Sequence, residues 1–232
     1  VTGVQTCALP IYFNHFMKTS NFKFSVSGLK QIMVLVTLCL LSSGFIACSD
    51  DEKEEPEVPA EAKSFTVHAT STNPDDWCYF SFEKGDSVVI DKANAAKDQT
   101  WDIAFQRFYV RTNSGTSGNG QGGALDTKQT TFDAVTTVPT SGFIADSKEK
   151  MMLIMSKFEE HSLNTAFQAP GYEEYYSWTW YNYMINTWFP NNNVFIIRTA
   201  DGKHYAKLIF KQYKDDKGDS GHPTFEYVYP FK

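Results

Sequence analysis

The chain has 232 residues, 42% hydrophobic and 21% charged, and a net charge of −6. Residues 1–47 hold three lysines and no acid, so the remainder sets 18 basic against 27 acidic groups. That balance, with no basic cluster, argues against a protein that tracks the phosphates of a nucleic acid. Aromatic residues reach 16%, with 19 Phe, 12 Tyr and 5 Trp, which favours strands and supplies ring faces for binding.

In chain order, residues 1–11 (VTGVQTCALPI) resemble a translated sequencing adapter, and residues 1–16 are expected to stand outside the fold. Met17 opens an export signal running to Ala47. Lys18, Lys23 and Lys30 give it a positive start, and the uncharged stretch from Gln31 to Ala47 has an apolar centre too short for a comfortable membrane span. Small residues lead into Cys48, which resembles the lipobox of bacterial lipoproteins. The mature chain is therefore expected to begin at Cys48, lipidated on its thiol and held to the membrane by lipid alone. Residues 48–62 read as an acidic linker with no apolar surface to bury. Their Asp-Asp-Glu-Lys-Glu-Glu run also resembles a surface-export signal of lipoproteins in some Gram-negative anaerobes. Of the four cysteines, only Cys78 remains beyond the export segment and the lipid site, so no disulfide is expected within one mature chain.

Residues 63–232 read mostly as strands. Phe65–Ala69 alternates; Trp77–Phe82 and Asp86–Ile90 form a hairpin around Lys84-Gly85; Trp101 begins a strand continuing to Arg111. Thr112–Asp126, rich in Gly, Ser and Asn, predicts a long loop. Phe195–Thr199 and Tyr205–Tyr213 flank Asp201-Gly202, which predicts a type I′ hairpin turn. Phe225–Tyr229 closes the domain. Met151, Ile154, Met155 and Phe158 recur at i, i+3, i+4, i+7, which predicts a helix capped by Asp146, with a second helical or irregular stretch within Glu173–Asn186.

Gly118–Gly123 matches G-x-G-x-x-G, but no amphipathic helix follows, so a dinucleotide site is rejected and the glycines are expected to serve turns with positive φ. No nucleophile–base or metal-ligand spacing marks an enzyme. The histidines are scattered: His204 shares a strand face with Ala206, Leu208 and Phe210, and His222 falls in a Gly-rich turn. Tyr172–Phe189 packs many rings around Met184, and three more methionines, Met151, Met152 and Met155, cluster upstream. Such surfaces bind large flat apolar ligands, and methionine sulfur can ligate haem iron; equally, these residues can be core.

The segments Trp101–Phe105, Val110–Gly115, Gly118–Ala124 and Ile197–Lys203, together with the lipobox and acidic leader, resemble the HmuY-like haem-binding lipoproteins over residues 64–232. The resemblance implies a mostly β fold of antiparallel sheets with one or two short helices. It implies a surface haemophore, lipid-anchored in the outer membrane, that takes haem (iron protoporphyrin IX) from host haem-carrier proteins and passes it to a TonB-dependent outer-membrane receptor. It places two axial ligand segments at Met151–His161 and Asn182–Trp188. The second segment has no histidine, which departs from the bis-His pattern and leaves Met184 as the ligand there. Met155 is the preferred partner, with Met152 and His161 as alternatives. Tyr183 and Trp188 would flank the porphyrin, and Arg107 or Lys157 would meet its propionates. The competing reading is a glycan-binding or adhesin lipoprotein without haem ligation, its rings serving as sugar platforms.

Overall fold

The computed structural model describes residues 61–154, 157–167 and 178–232. The export segment, Cys48, most of the acidic linker, Met155 and Tyr172–Ser177 lie outside them. Two antiparallel sheets carry the fold. The five-stranded sheet has the order β1 (Lys63–Thr66), β13 (Ser220–Val228), β12 (Tyr205–Lys214), β11 (Val194–Arg198) and β6 (Gly123–Asp126). The four-stranded sheet has the order β3 (Asp86–Val88), β2 (Cys78–Ser81), β4 (Ile103–Gln106) and β5 (Tyr109–Thr112). Their inner faces meet ring on ring. Phe105 stacks on Phe225 at 5.8 Å, and Phe80 stands edge-on to Phe225 and Tyr227 at 5.4 and 5.6 Å. Such pairs add to burial in holding a sandwich together.

The apolar run of β11 follows from burial on both sides. Phe195 and Ile197 enter the sandwich, while Val194 and Ile196 pack under Val135 and Phe231 on the outer face. Asp102 staples the layers: one carboxylate oxygen accepts from the Phe82 amide and the other from the Ala200 amide, each at 2.9 Å. Burial pushes its pKa up, and these two amides pull against that. Trp101, fully buried, donates its indole N–H to the Ala95 carbonyl at 2.9 Å. The Trp-Asp motif is therefore architectural.

Several local expectations are corrected. The helix predicted over Met151–Phe158 is a hairpin of β7 (Ser147–Ile154) and β8 (Lys157–Leu163), with Met151 opposite Glu159 and Met152 opposite Phe158. A continuous Met-Met-Leu-Ile-Met run satisfies either period. The flanking charges decide, since Lys150 pairs across to Glu160 and Glu149 to His161. Within Glu173–Asn186, residues 178 onward are not helical: β9 (Thr179–Asn182) pairs with β10 (Thr187–Pro190). The strand from Trp101 does not run on to Arg111. It folds back as β4 and β5 about Arg107, whose φ is 53°.

Gly118, Gly120 and Gly122 do not take positive φ. They are needed because the chain wraps closely around Asn113: a Cβ at Gly118 would lie 2.1 Å from the Asn113 Oδ1, and one at Gly120 2.5 Å from its carbonyl. The Asn113 amide in turn donates to the carbonyls of Asp98 and Trp101. Part of the expected loop is β6, paired with β11.

The β11–β12 connection is longer than a two-residue turn, and only Gly202 takes positive φ there, at 72°. Asp201 organises it, accepting from the Lys203 amide at 2.9 Å and the Thr199 hydroxyl at 2.7 Å, with the His204 ring at 2.6 Å. His204 is thus turned outward, its side chain 56% exposed, not inward as its strand position implied. His222 stands at the start of β13, not in the turn, edge-on to His68 at 5.3 Å. Although burial opposes it, hydrogen bonding holds Asp201 well below the usual carboxylate range. A depressed pKa contributes stability above the unfolded value and loses it as pH falls through the folded one. The stability difference between wild type and Asp201→Ala should therefore be full at pH 7 and shrink steadily below about pH 4, as read by urea melts across that range.

Candidate functional site

The β7–β8 and β9–β10 hairpins project from the sandwich as separate two-stranded sheets. Both are rooted on the turn between β4 and β5. Tyr109 packs in one cluster with Leu163 at the base of β7–β8 and with Met151 farther along β7. Its neighbour Phe108, 4.3 Å away ring to ring, packs on Trp188 of β10 at 5.2 Å. Trp188 also lies 4.5 Å from Tyr213 and 5.0 Å from Tyr181. Just before β9, Trp178 stacks on Phe210 at 4.1 Å and donates its indole N–H to the Phe108 carbonyl at 2.7 Å. Two adjacent rings therefore hold the feet of both arms.

The tip of β9–β10 is built by its asparagines. The Asn182 side chain accepts from the Met184 amide at 3.0 Å, and Asn186 adopts a φ of 53°, a left-handed conformation that asparagine tolerates. Between them Tyr183, Met184 and Ile185 stand 78%, 80% and 60% exposed. On the other arm Phe158 is about half exposed. These residues, with Tyr181, make up most of the large apolar side chains that the described residues show to solvent. The run Tyr183–Ile185 makes the β9–β10 tip a candidate binding surface.

The sequence-predicted residues divide accordingly. Met184 and Tyr183 are presented at a tip, whereas Trp188 is the half-buried root of its arm. Met151 is buried against Tyr109. Met155 lies outside the described residues, and Met152 is placed by its backbone only. His161 is largely buried. Its Nε2 has no hydrogen-bond partner, and the Glu159 carboxylate stands 3.7 Å away. It lines a recess to which no β9–β10 residue contributes, so His161 and Met184 do not share a cleft among the described residues.

The two basic groups offered for propionates are engaged. Lys157 pairs with Glu159 at 2.8 Å, and the same contact lowers the pKa of Glu159. Arg107 donates to the Thr70 carbonyl at 3.4 Å and lies beside Tyr213. Burial pushes the Tyr213 hydroxyl up to about 12, against the Arg107 guanidinium that opposes it. Sequence reasoning missed Phe108 and Tyr109 as the common root. Their position in a supposedly continuous strand concealed it. Among the described residues, no three His, Cys, Asp or Glu side chains gather to hold a metal ion, and no helix is long and apolar enough to cross a membrane.

The sequence model of the family described as HmuY protein matches residues 73–227. The chain belongs to the HmuY family. No curated protein matches it in sequence. Solved structures share the fold. A candidate HmuY-like heme binding protein from Bacteroides vulgatus is 24% identical, with a TM-score of 0.54 over 74% of this chain and 93% of its own. An HmuY analogue from Tannerella forsythia is 24% identical, with a TM-score of 0.53 over 76% of this chain and 100% of its own. A candidate lipoprotein from Bacteroides fragilis is 23% identical, with a TM-score of 0.52 over 74% and 90%. Membership in the HmuY family supports a protein of the haem-binding type, and the antiparallel sheets with almost no helix are those of the HmuY-like fold.

Proposed function

We propose that this HmuY family member is a surface-anchored haemophore. It captures haem through axial methionine sulfur and passes it to a TonB-dependent outer-membrane receptor after taking it from host carrier proteins. One observation carries the reading: in a chain of this family, Met184 stands 80% exposed between apolar neighbours at the tip of an arm. Thioether sulfur is an established axial ligand of haem iron. Tyr183 and Tyr181 beside it offer ring surface for a porphyrin face. Met155, outside the described residues, is the proposed second ligand, with Met152 and His161 the alternatives. Two neutral, soft sulfurs favour the ferrous iron more than two imidazoles would. Capture and release require no bond making on the porphyrin itself, so the chain's task is binding and not catalysis.

Titration of the purified protein with haem, oxidised and then reduced, tests this. The expected result is a sharpened Soret band that strengthens on reduction. An unchanged spectrum in the Met155→Ala/Met184→Ala double variant would overturn the ligand assignment, and no spectral change with wild type would overturn haem binding itself. The anchor is tested separately. Cys48→Ser should abolish incorporation of an alkyne-tagged fatty acid and move the protein from the detergent to the aqueous phase; retention of the label would place the lipid elsewhere.

A further inference from the structure

On the outer face of the four-stranded sheet a cleft of about 540 Å³ opens between β5, β8 and the loop that follows β3. Arg111 of β5 lies against it. Its guanidinium carbon is 4.1 Å from the centroid of Trp77, 5.3 Å from that of Tyr79 and 5.6 Å from that of Trp101. One Nη donates to the Tyr79 hydroxyl at 2.5 Å, and Nε, which is buried, meets no acceptor. Among the described residues no carboxylate forms an ion pair with it; Asp75 and Asp146 act on it only at longer range. Ring faces attract a cation, but they cannot accept the in-plane N–H bonds of a guanidinium. A guanidinium partly withdrawn from water, with its buried Nε left unpaired, is costly to keep.

The rest of the lining suits an organic anion. Trp77, Ala95 and Ala96 provide an apolar wall, and Lys148 stands at the edge with no acid paired to it among the described residues. Lys92, also at the edge, is already paired with Asp76. We infer that this cleft binds a flat, carboxylate-bearing organic molecule, its two oxygens taken by the Arg111 guanidinium and its body laid against Trp77 and Ala95. The planar fork matches two oxygens in one plane. Asp75 and Glu160, which also line the cleft, disfavour a second negative charge and so select a carboxylate over a phosphate dianion. His161, one of the alternative iron ligands, lines this cleft, but no residue of the Met184 arm does, so the failure of benzoate binding and the failure of haem capture through Met184 are read separately.

Calorimetric titration of the full chain with benzoate, its neutral analogue benzamide, and inorganic phosphate decides the matter. Benzoate should bind wild type, with benzamide and phosphate each weaker by at least about tenfold. Arg111→Gln should weaken benzoate by at least about tenfold, and Lys148→Gln by about two- to threefold. Benzoate binding that is absent, or equal in wild type and Arg111→Gln, overturns the site. Phosphate binding as tightly as benzoate overturns the carboxylate assignment. Should Arg111→Gln not fold, as circular dichroism would report, the neutral analogue decides: benzamide binding as tightly as benzoate removes the role of the charge.

Discussion

Met184→Ala should weaken haem binding by at least about tenfold in the reduced state, about 1.4 kcal/mol, while leaving the melting temperature where it was. The two halves of that expectation have separate causes. The loss of affinity follows from removing a proposed axial ligand. The unchanged stability follows from exposure: the side chain packs against little, and surface truncations of that kind stay within about 0.5 kcal/mol. Trp188→Ala makes the contrast. That ring touches Phe108, Tyr181 and Tyr213, so its loss should lower thermal stability as well as haem binding. Absorbance spectra of the reduced complex and a thermal melt, run on both variants, separate them. Wild-type spectra in Met184→Ala would sink the assignment of that sulfur.

Asp146→Ala should be the most damaging single change to stability outside the ring core. Its carboxylate is buried and accepts from the Thr112 amide at 3.0 Å, the Thr112 hydroxyl at 2.6 Å, the Ser117 hydroxyl at 2.5 Å and the Asn164 amide at 2.8 Å. Burial pushes its pKa up, and those donors pull against it. Alanine would strand several buried donors at once, a loss of about 3 kcal/mol or more. For a domain of this size that is about 6–12 °C in melting temperature. Asp146→Asn keeps one acceptor and should fall between alanine and wild type. A fall of under about 1 kcal/mol for Asp146→Ala in urea unfolding would contradict this account. The residue expected to cap a helix is instead the anchor of β5 and the glycine-rich loop to the root of β7.

The sandwich was legible where independent signals pointed to the same element. Phe195–Thr199 and Tyr205–Tyr213 read as paired strands because alternation, β-branched residues and an Asp-Gly between them agreed. Signals failed where two periods fitted. Met151–Met155 is apolar throughout, and only the partner strand, carrying Glu159, Glu160 and His161 opposite Met151, Lys150 and Glu149, chooses the hairpin. The turn at Arg107 carries no glycine, proline or asparagine. It is held by distant groups, the Thr70 carbonyl and the Trp178 indole, which no local pattern encodes. At the candidate site, composition marked the ring-rich stretch around Met184, and the family resemblance singled out Met184, Tyr183 and Trp188 within it. Which of them faces outward was not, because Trp188 is drawn inward by Phe108 and Tyr213, far away in sequence.

The two arms have a mechanical consequence. Each is a ribbon of only two strands, and neither shares a backbone hydrogen-bond ladder with the main sheets. Spreading β9–β10 would break the contacts of Trp188 with Phe108 and Tyr213, and spreading β7–β8 those around Tyr109, while Phe80, Phe105 and Phe225 keep their packing between the layers. Cargo could then leave through an excursion far cheaper than global unfolding, and amide protons of residues 179–190 should exchange with deuterium well before those of β11 and β12.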